Sequence, residues 1–299
     1  SVSAMMMDAI SDQSFDVQGF RDALGARDLC CDIAATKDAV LCTPSWCQSC
    51  RTCISADLRA FWNLRGYVFG HFMINVFIVA SYGIVFSKPT TDPVARLFEF
   101  NTSLFFFTVG IYFLFTTFKL EELDIELLQF KYEHFNRLVT PAMYLISSSF
   151  SECVYGGVAG VLLSLLSIPF LNIEAQVTNQ QLLQTAMIYV LMLWIAIAYR
   201  KVGAVMVEKM NIRFIIQRNF DIIILGLNGV FVPRENLYPS IQWLCFVNPY
   251  YYIVQGLFAT WGITYNRDEA VSIELAFAML LLFLLVMYVV MWLRLRRTF

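Results

Sequence analysis

Three stretches of this chain carry no charged side chain from end to end: Gly66 to Phe86, Phe100 to Phe118 and Leu275 to Leu293. Each is long enough to cross a bilayer as a helix, since about 20 residues at 1.5 Å rise match a hydrocarbon core of roughly 30 Å. A helix apolar on every side must be buried all round, in protein or in lipid. The composition decides for lipid. Hydrophobic residues make up 59% of the chain and charged residues 15%, against roughly 45–50% and 25% in soluble domains.

Three further apolar segments bring the expected spans to six. The third runs from about Ala142 to Ile168 with Glu152 inside it, and the fourth from about Leu182 to Tyr199. The fifth, about Phe214 to Val232, carries Arg218 and Asp221. The sixth is Leu275 to Leu293, stopped by Arg294, Arg296 and Arg297. The expected fold is therefore an all-α membrane protein with six transmembrane helices.

Basic loops stay on the cytosolic side or its topological equivalent. Fourteen Lys and Arg fall on one face: Arg51, Arg59, Arg65, Lys119, Lys131, Arg137, Arg200, Lys201, Lys209, Arg213, Arg218, Arg294, Arg296 and Arg297. Only Lys88, Arg96, Arg234 and Arg267 fall on the other. With an even number of spans, both termini then lie on the inner side. A net charge of -2 and the absence of any Lys/Arg-rich block exclude a nucleic-acid partner.

Residues 1–50 form a polar, acidic segment with seven Asp against Arg21, Arg27 and Lys37. It fits neither a secretory signal, which needs an apolar core, nor a transit peptide, which is poor in acidic residues. The chain begins at Ser1 rather than Met, from which removal of something upstream is expected. Residues 51–299 are expected to form the transmembrane domain. Within it, Thr52 to Arg65 reads either as an amphipathic connecting helix on the inner surface or as an extension of the first span.

Cys42, Cys47, Cys50 and Cys53 recur within a short stretch, with Cys30 and Cys31 upstream. Two successive Cys-x-x-Cys steps are compatible with zinc or an iron–sulfur centre. Free or acylated thiols and disulfides are the other two chemistries left open.

Two loops stand apart. Lys119 to Arg137 is a charged helical stretch between spans two and three. Pro233 to Asp268, between spans five and six, is apolar and aromatic but broken by Pro233, Pro239 and Pro249. Half-apolar broken elements of that kind dip into a leaflet where other helices cover their backbone.

These loops carry a resemblance. Glu126, Phe130, Glu133, Tyr144 and Glu152 have the spacing of the linker and third span in the G-subfamily ABC exporters, the white-type and pleiotropic-drug-resistance group. Gly229-Val-Phe-Val-Pro-Arg234, then Pro239, Trp243 and Asn248-Pro-Tyr-Tyr-Tyr-Ile-Val-Gln-Gly-Leu257, is similar to that family's outer re-entrant sequence. The resemblance implies an inner coupling helix, with Glu126, Lys131, Glu133 and Arg137 as its contacts to an ATPase subunit. It also implies a second transmembrane domain as partner, in a homodimer or heterodimer. The implied substrate path lies between spans two and five, lined by Phe105, Phe106, Phe107 and Tyr112 with Phe220, Ile224, Asn228 and Phe231. A lining of that composition favours lipids, sterols or hydrophobic amphiphiles.

The chain lacks a Gly-Lys dipeptide altogether, and with it the phosphate loop. ATP and Mg²⁺ are then expected on a partner rather than here. No nucleophile, base and orienting group converge, so the chain is not expected to be an enzyme. Glu152 and Asp221 lie at membrane depth, where an ionised group is costly unless paired or hydrated. Asp221 has Arg218 one turn away, and Glu152 has serines around it. Two functions remain open: a permease driven by a separate ATPase, and a former permease kept as a structural or assembly subunit of a larger membrane complex.

Overall fold

The computed structural model describes residues 47, 50–55, 70, 73, 77, 81, 123, 126–135, 139–167, 178–207, 209–229, 234–262 and 271–298. All lie in the unit Trp46–Phe299. The first two expected spans, all but a few positions of them, lie outside the described residues. So do Phe105, Phe106, Phe107, Tyr112, Arg137, Phe231 and Cys42. Of the connecting helix, residues 51–55 are helical and the rest lies outside.

Six helices are described in full, numbered here in chain order: α1 (Pro141–Ser167), α2 (Asn179–Met206), α3 (Met210–Gly226), α4 (Trp243–Phe246), α5 (Pro249–Trp261) and α6 (Ile273–Thr298). Residues 50–55 and 126–135 are also helical. The described residues contain no strand. Among the described residues, three helices are long and apolar enough to cross a membrane: Pro141–Leu162, Asn179–Met206 and Ile273–Arg297.

Local chemistry sets the boundaries. Thr140 opens α1 by accepting from the Met143 amide (3.3 Å), and Pro141 sits in the first turn, where no amide donor is needed. Thr178 and Gln181 close a reciprocal capping box on α2. Its two bonds are Gln181 N–H to Thr178 Oγ1 (3.3 Å) and Thr178 N–H to Gln181 Oε1 (3.1 Å). Asn248 caps α5, whose first residue is Pro249, and Gly262 (φ 67°) ends it in the left-handed region. Ser272 accepts from the Leu275 amide at the start of α6 (3.3 Å).

α1 matches its expected span to within a residue. α2 runs well past the expected end at Tyr199, because Arg200 and Lys201 do not stop it. The fifth expected span is displaced: α3 starts at Met210 rather than Phe214 and ends at Gly226 rather than Val232. The chain breaks there because Gly229 takes φ 85°, a conformation that glycine alone adopts freely.

α1 and α2 are packed face to face through small residues. A Cβ added at Gly160 would stand 2.8 Å from the Val190 Cα, and one at Gly156 2.9 Å from Trp194 Cδ1. The Trp194 indole N–H donates to the Cys153 carbonyl across the same seam (3.1 Å). Such close backbone approach is how helices associate in lipid, where the hydrophobic effect supplies no attraction between them. Gly157 has nothing within 4 Å of its Cβ position, which makes it a control. Gly160→Ala is expected to cost about 1–3 kcal/mol by forcing the helices apart. Gly157→Ala should be neutral or stabilising by about 0.5–1 kcal/mol. Thermal midpoints of the detergent-purified variants check this, and equal behaviour of the two would contradict the tight seam.

α5 runs antiparallel to the first half of α2. The Gln181 side-chain amide donates to the Thr260 carbonyl (3.3 Å), and a Cβ at Gly256 would meet Ile188 and Ala276. One apolar core gathers α2, α5 and the start of α6 around Ile188, Met192, Ile253, Val254 and Leu280. A second, at the opposite end of the bundle, joins the start of α1 and the ends of α2 and α6 to residues 127 and 130.

Candidate functional site

α3 is built inside out. Its buried residues, Arg213, Gln217, Asp221 and Leu225, fall at intervals of four and so form one stripe. Three of the four are polar. Ile212, Phe214, Ile215, Ile216, Phe220, Ile222 and Ile223 make up most of its exposed surface, together with Asn211, Arg218 and Asn219. A helix of this kind suits lipid outside and a polar seam inside.

Facing the stripe are two consecutive cations of α2, which point in directions about 100° apart and so serve different neighbours. Arg200 turns to α3. Its guanidinium lies 2.5 Å from the Asp221 carboxylate and also donates to Gln217 Oε1 (3.3 Å). Gln217 returns two bonds from Nε2, to the Tyr199 and Arg200 carbonyls, each 3.4 Å. It comes that close because α2 has Gly203 opposite: a Cβ there would lie 1.8 Å from Gln217 Nε2. Lys201 turns to α1. It pairs with Glu152 (2.6 Å) and donates to the Ser148 hydroxyl. Asp221 is 0% exposed, Lys201 2%, Arg200 3% and Glu152 5%. Both carboxylates are thus paired with cations of α2. For Asp221 the cation comes from 21 residues upstream.

Arg200, Lys201 and Arg213, counted from the sequence among the basic residues of the inner face, are all buried. The sequence marked the two carboxylates but not their partners, because α2 continues about 9 Å, at 1.5 Å per residue, beyond Arg200.

At the end of the bundle where α1 starts and α2 and α6 finish lies the helical stretch 126–135. Leu127 and Phe130 are buried in the second core with Val139, Met143, Ala198, Met291 and Leu295. Phe130 stacks on Tyr144 with ring centroids 4.4 Å apart, and the His134 ring Nδ1 lies 2.8 Å from the Val139 carbonyl. Leu128, Tyr132 and Phe135 form a second row, spaced four and three residues apart, and this row is exposed; Phe135 is 82% accessible. Of the expected coupling residues, Glu126, Lys131 and Glu133 are partly exposed, and Glu133 accepts from Gln129 (2.8 Å). The sequence reading singled out the charges and missed the apolar row between them.

The described members of the expected substrate path differ in environment. Phe220 is exposed, Ile224 is half-buried and Asn228 is fully buried. Of the cysteines, Cys47 is exposed, Cys50 is buried, and Cys53 packs beside the second core. Among the described residues no group of three or more His, Cys, Asp or Glu side chains converges as a metal site.

Residues 48–261 match the family described as ABC-2 type transporter, a membrane-domain family. The chain belongs to the ABC-2 type transporter family. No curated protein matches it. The matched range takes in stretch 126–135 and helices α1 to α5, and so includes both the buried charge network and the exposed row. An ABC-2 membrane domain is the permease component of an ABC transporter, a multi-pass integral membrane protein rather than a catalytic chain. Domains of this family typically work with nucleotide-binding ATPase subunits.

Proposed function

We propose that this ABC-2 permease forms the membrane path of an ATP-driven exporter of the G-subfamily type, carrying lipid-like or hydrophobic amphiphilic substrates. In this assignment it has six spans, with α1, α2, α3 and α6 as the last four, and α4–α5 as the outer re-entrant segment. It works beside a second transmembrane domain, and ATP and Mg²⁺ bind to nucleotide-binding ATPase domains. The end bearing stretch 126–135 faces the cytosol or its equivalent. Taking the buried Arg200, Lys201 and Arg213 from the fourteen basic residues of that face leaves eleven against four, so the orientation argument survives their removal. The path between spans two and five is lined on this side by Phe220, Ile224 and Asn228.

The observation that carries the assignment is the two-sided helix 126–135. One row, Leu127 and Phe130, is wedged into the ends of α1, α2 and α6. The other, Leu128, Tyr132 and Phe135, stands exposed between Glu126, Lys131 and Glu133. Apolar anchors ringed by charge are the pattern of a protein-docking surface, and a push on this one is delivered straight to three spanning helices. The test is Tyr132→Ala with Phe135→Ala. Both side chains are exposed, so the variant should insert and fold. It is expected to bind its ATPase partner at least about tenfold more weakly, since two aromatic anchors are worth more than roughly 1 kcal/mol each. Glu126→Ala with Glu133→Ala should retain attachment but lose substrate-stimulated ATP hydrolysis. A native assembly holding no nucleotide-binding domain, with both double variants silent, would replace this assignment by the structural-subunit alternative.

A further inference from the structure

The two ion pairs made by neighbouring residues of α2 lie in seams of different construction. The seam between α2 and α1 is closed several times over. It has Gly160 against the Val190 backbone, Gly156 against Trp194, the Trp194 to Cys153 hydrogen bond and a share of both apolar cores, besides Lys201–Glu152. The contacts between α2 and α3 are polar along most of the described length: Arg200 with Asp221, and Gln217, seated against Gly203, with Arg200 and the two carbonyls. At the far end of α3 Leu225 is buried and Ile224 packs against the first apolar core, and there the Asn248 side-chain amide donates to the Ile224 carbonyl (2.6 Å). At its near end α3 is tied to α2 by the short connection 207–209.

In lipid this difference has a mechanical consequence. The apolar outer surface of α3 gains nothing by leaving the bilayer for another helix, so its position depends on directional polar bonds. Interlocked backbones, as between α1 and α2, have one arrangement; a helix held by an ion pair has a second one as soon as the pair opens. Resting on the permease assignment above, we propose that α3 is the moving element of this permease. Arg200–Asp221 is the latch that holds it against α2, and the adjacent Lys201–Glu152 pair is a fixed brace in the rigid body formed by α1, α2, α5 and α6. Arg200 and Asp221 are positioning residues: they set where α3 stands, and with it the Phe220 face that it offers to the membrane path.

Distances measured in the full chain, reconstituted in lipid nanodiscs, test the division. Spin labels carried on non-canonical amino acids leave the eight native cysteines in place. One pair at Leu183 and Ile222 reports α2 to α3; another at Leu183 and Phe150 reports α2 to α1, and all three positions are exposed. Arg200→Leu with Asp221→Leu removes both partners of the latch. It should broaden the Leu183–Ile222 distribution and add a longer component while leaving Leu183–Phe150 unchanged. Glu152→Leu with Lys201→Met should change neither. The exchanged pair, Arg200→Asp with Asp221→Arg, should narrow the α2–α3 distribution again. An unchanged Leu183–Ile222 distribution without the latch would show that packing holds α3 and overturn the proposal. Broadening of both distances in either double variant would show a general loosening and overturn it equally. No ATPase or substrate enters these measurements. A failure here therefore leaves the permease assignment standing, and a missing nucleotide-binding partner would undo that assignment without altering these distances.

Discussion

Glu152→Leu is expected to be among the most damaging single substitutions in the chain, lowering stability by about 3–5 kcal/mol, because it strands the Lys201 ammonium inside the protein. Lys201 is 2% exposed and its partner carboxylate is 2.6 Å away. Removing the carboxylate leaves a full positive charge in the close-packed seam between α1 and α2, with the Ser148 hydroxyl as the neutral group beside it. The attraction lost is not what sets the cost. An ion pair replaced on both sides by apolar groups of similar size is often neutral, so Glu152→Leu with Lys201→Met should regain most of the loss. Heating the purified variants and following the monodisperse fraction by size exclusion distinguishes these outcomes. Equal damage from the single and the double variant would mean that Glu152 matters for its shape and not for its charge.

That pair also shows what the sequence made legible and what it withheld. Long apolar runs declare a membrane protein and place α1 and α6 closely, since the period and length of an apolar segment are local properties. Depth is local too, so Glu152 and Asp221 could be marked as costly. Their partners could not be read in the same way. Arg200 and Lys201 follow an apolar stretch and look like the basic stop of a span. Only the packing of α2 between α1 and α3 turns them inward. The end of α3 was misplaced for a related reason: hydropathy continues through Leu227 and Val230, while the backbone breaks at Gly229.

On stretch 126–135 the charges were legible as a surface feature, but the apolar residues were ambiguous. Leu127 and Phe130 face the bundle, whereas Leu128, Tyr132 and Phe135 face away, and both rows have helical spacing. Which row is core depends on where the ends of α1, α2 and α6 lie, and no local pattern contains that. In the broken segment after α3 the punctuation is chemical. Pro249 can only begin a helix cleanly, and Asn248 before it is a capping residue by type. In the structure that residue also takes on a role its position in the chain did not suggest.

Asn248 performs two tasks with one side chain, which makes it the second position of large expected effect. Its oxygen accepts from the Tyr250 amide at the first turn of α5 (3.0 Å), and its nitrogen donates to the Ile224 carbonyl near the end of α3 (2.6 Å). At 4% exposure, water does not substitute for either bond, and backbone groups inside a membrane protein have to be satisfied by the protein itself. Asn248→Leu should therefore lose a helix cap, worth about 1 kcal/mol, and strand a buried carbonyl interaction worth about 1–3 kcal/mol. Together these amount to roughly 2–4 kcal/mol. Asn248→Ser separates the two. A serine hydroxyl can still cap the Tyr250 amide but is too short to reach α3, so it should recover the cap alone. Thermal midpoints give the totals, and hydrogen exchange at the Tyr250 amide reports the cap by itself: fast in the leucine variant, slow in the serine variant. If serine restored full stability, the bond to Ile224 would contribute nothing, and packing would join the end of α3 to α5, through Ile224 in the first core and Gly229 against Tyr251 and Gln255.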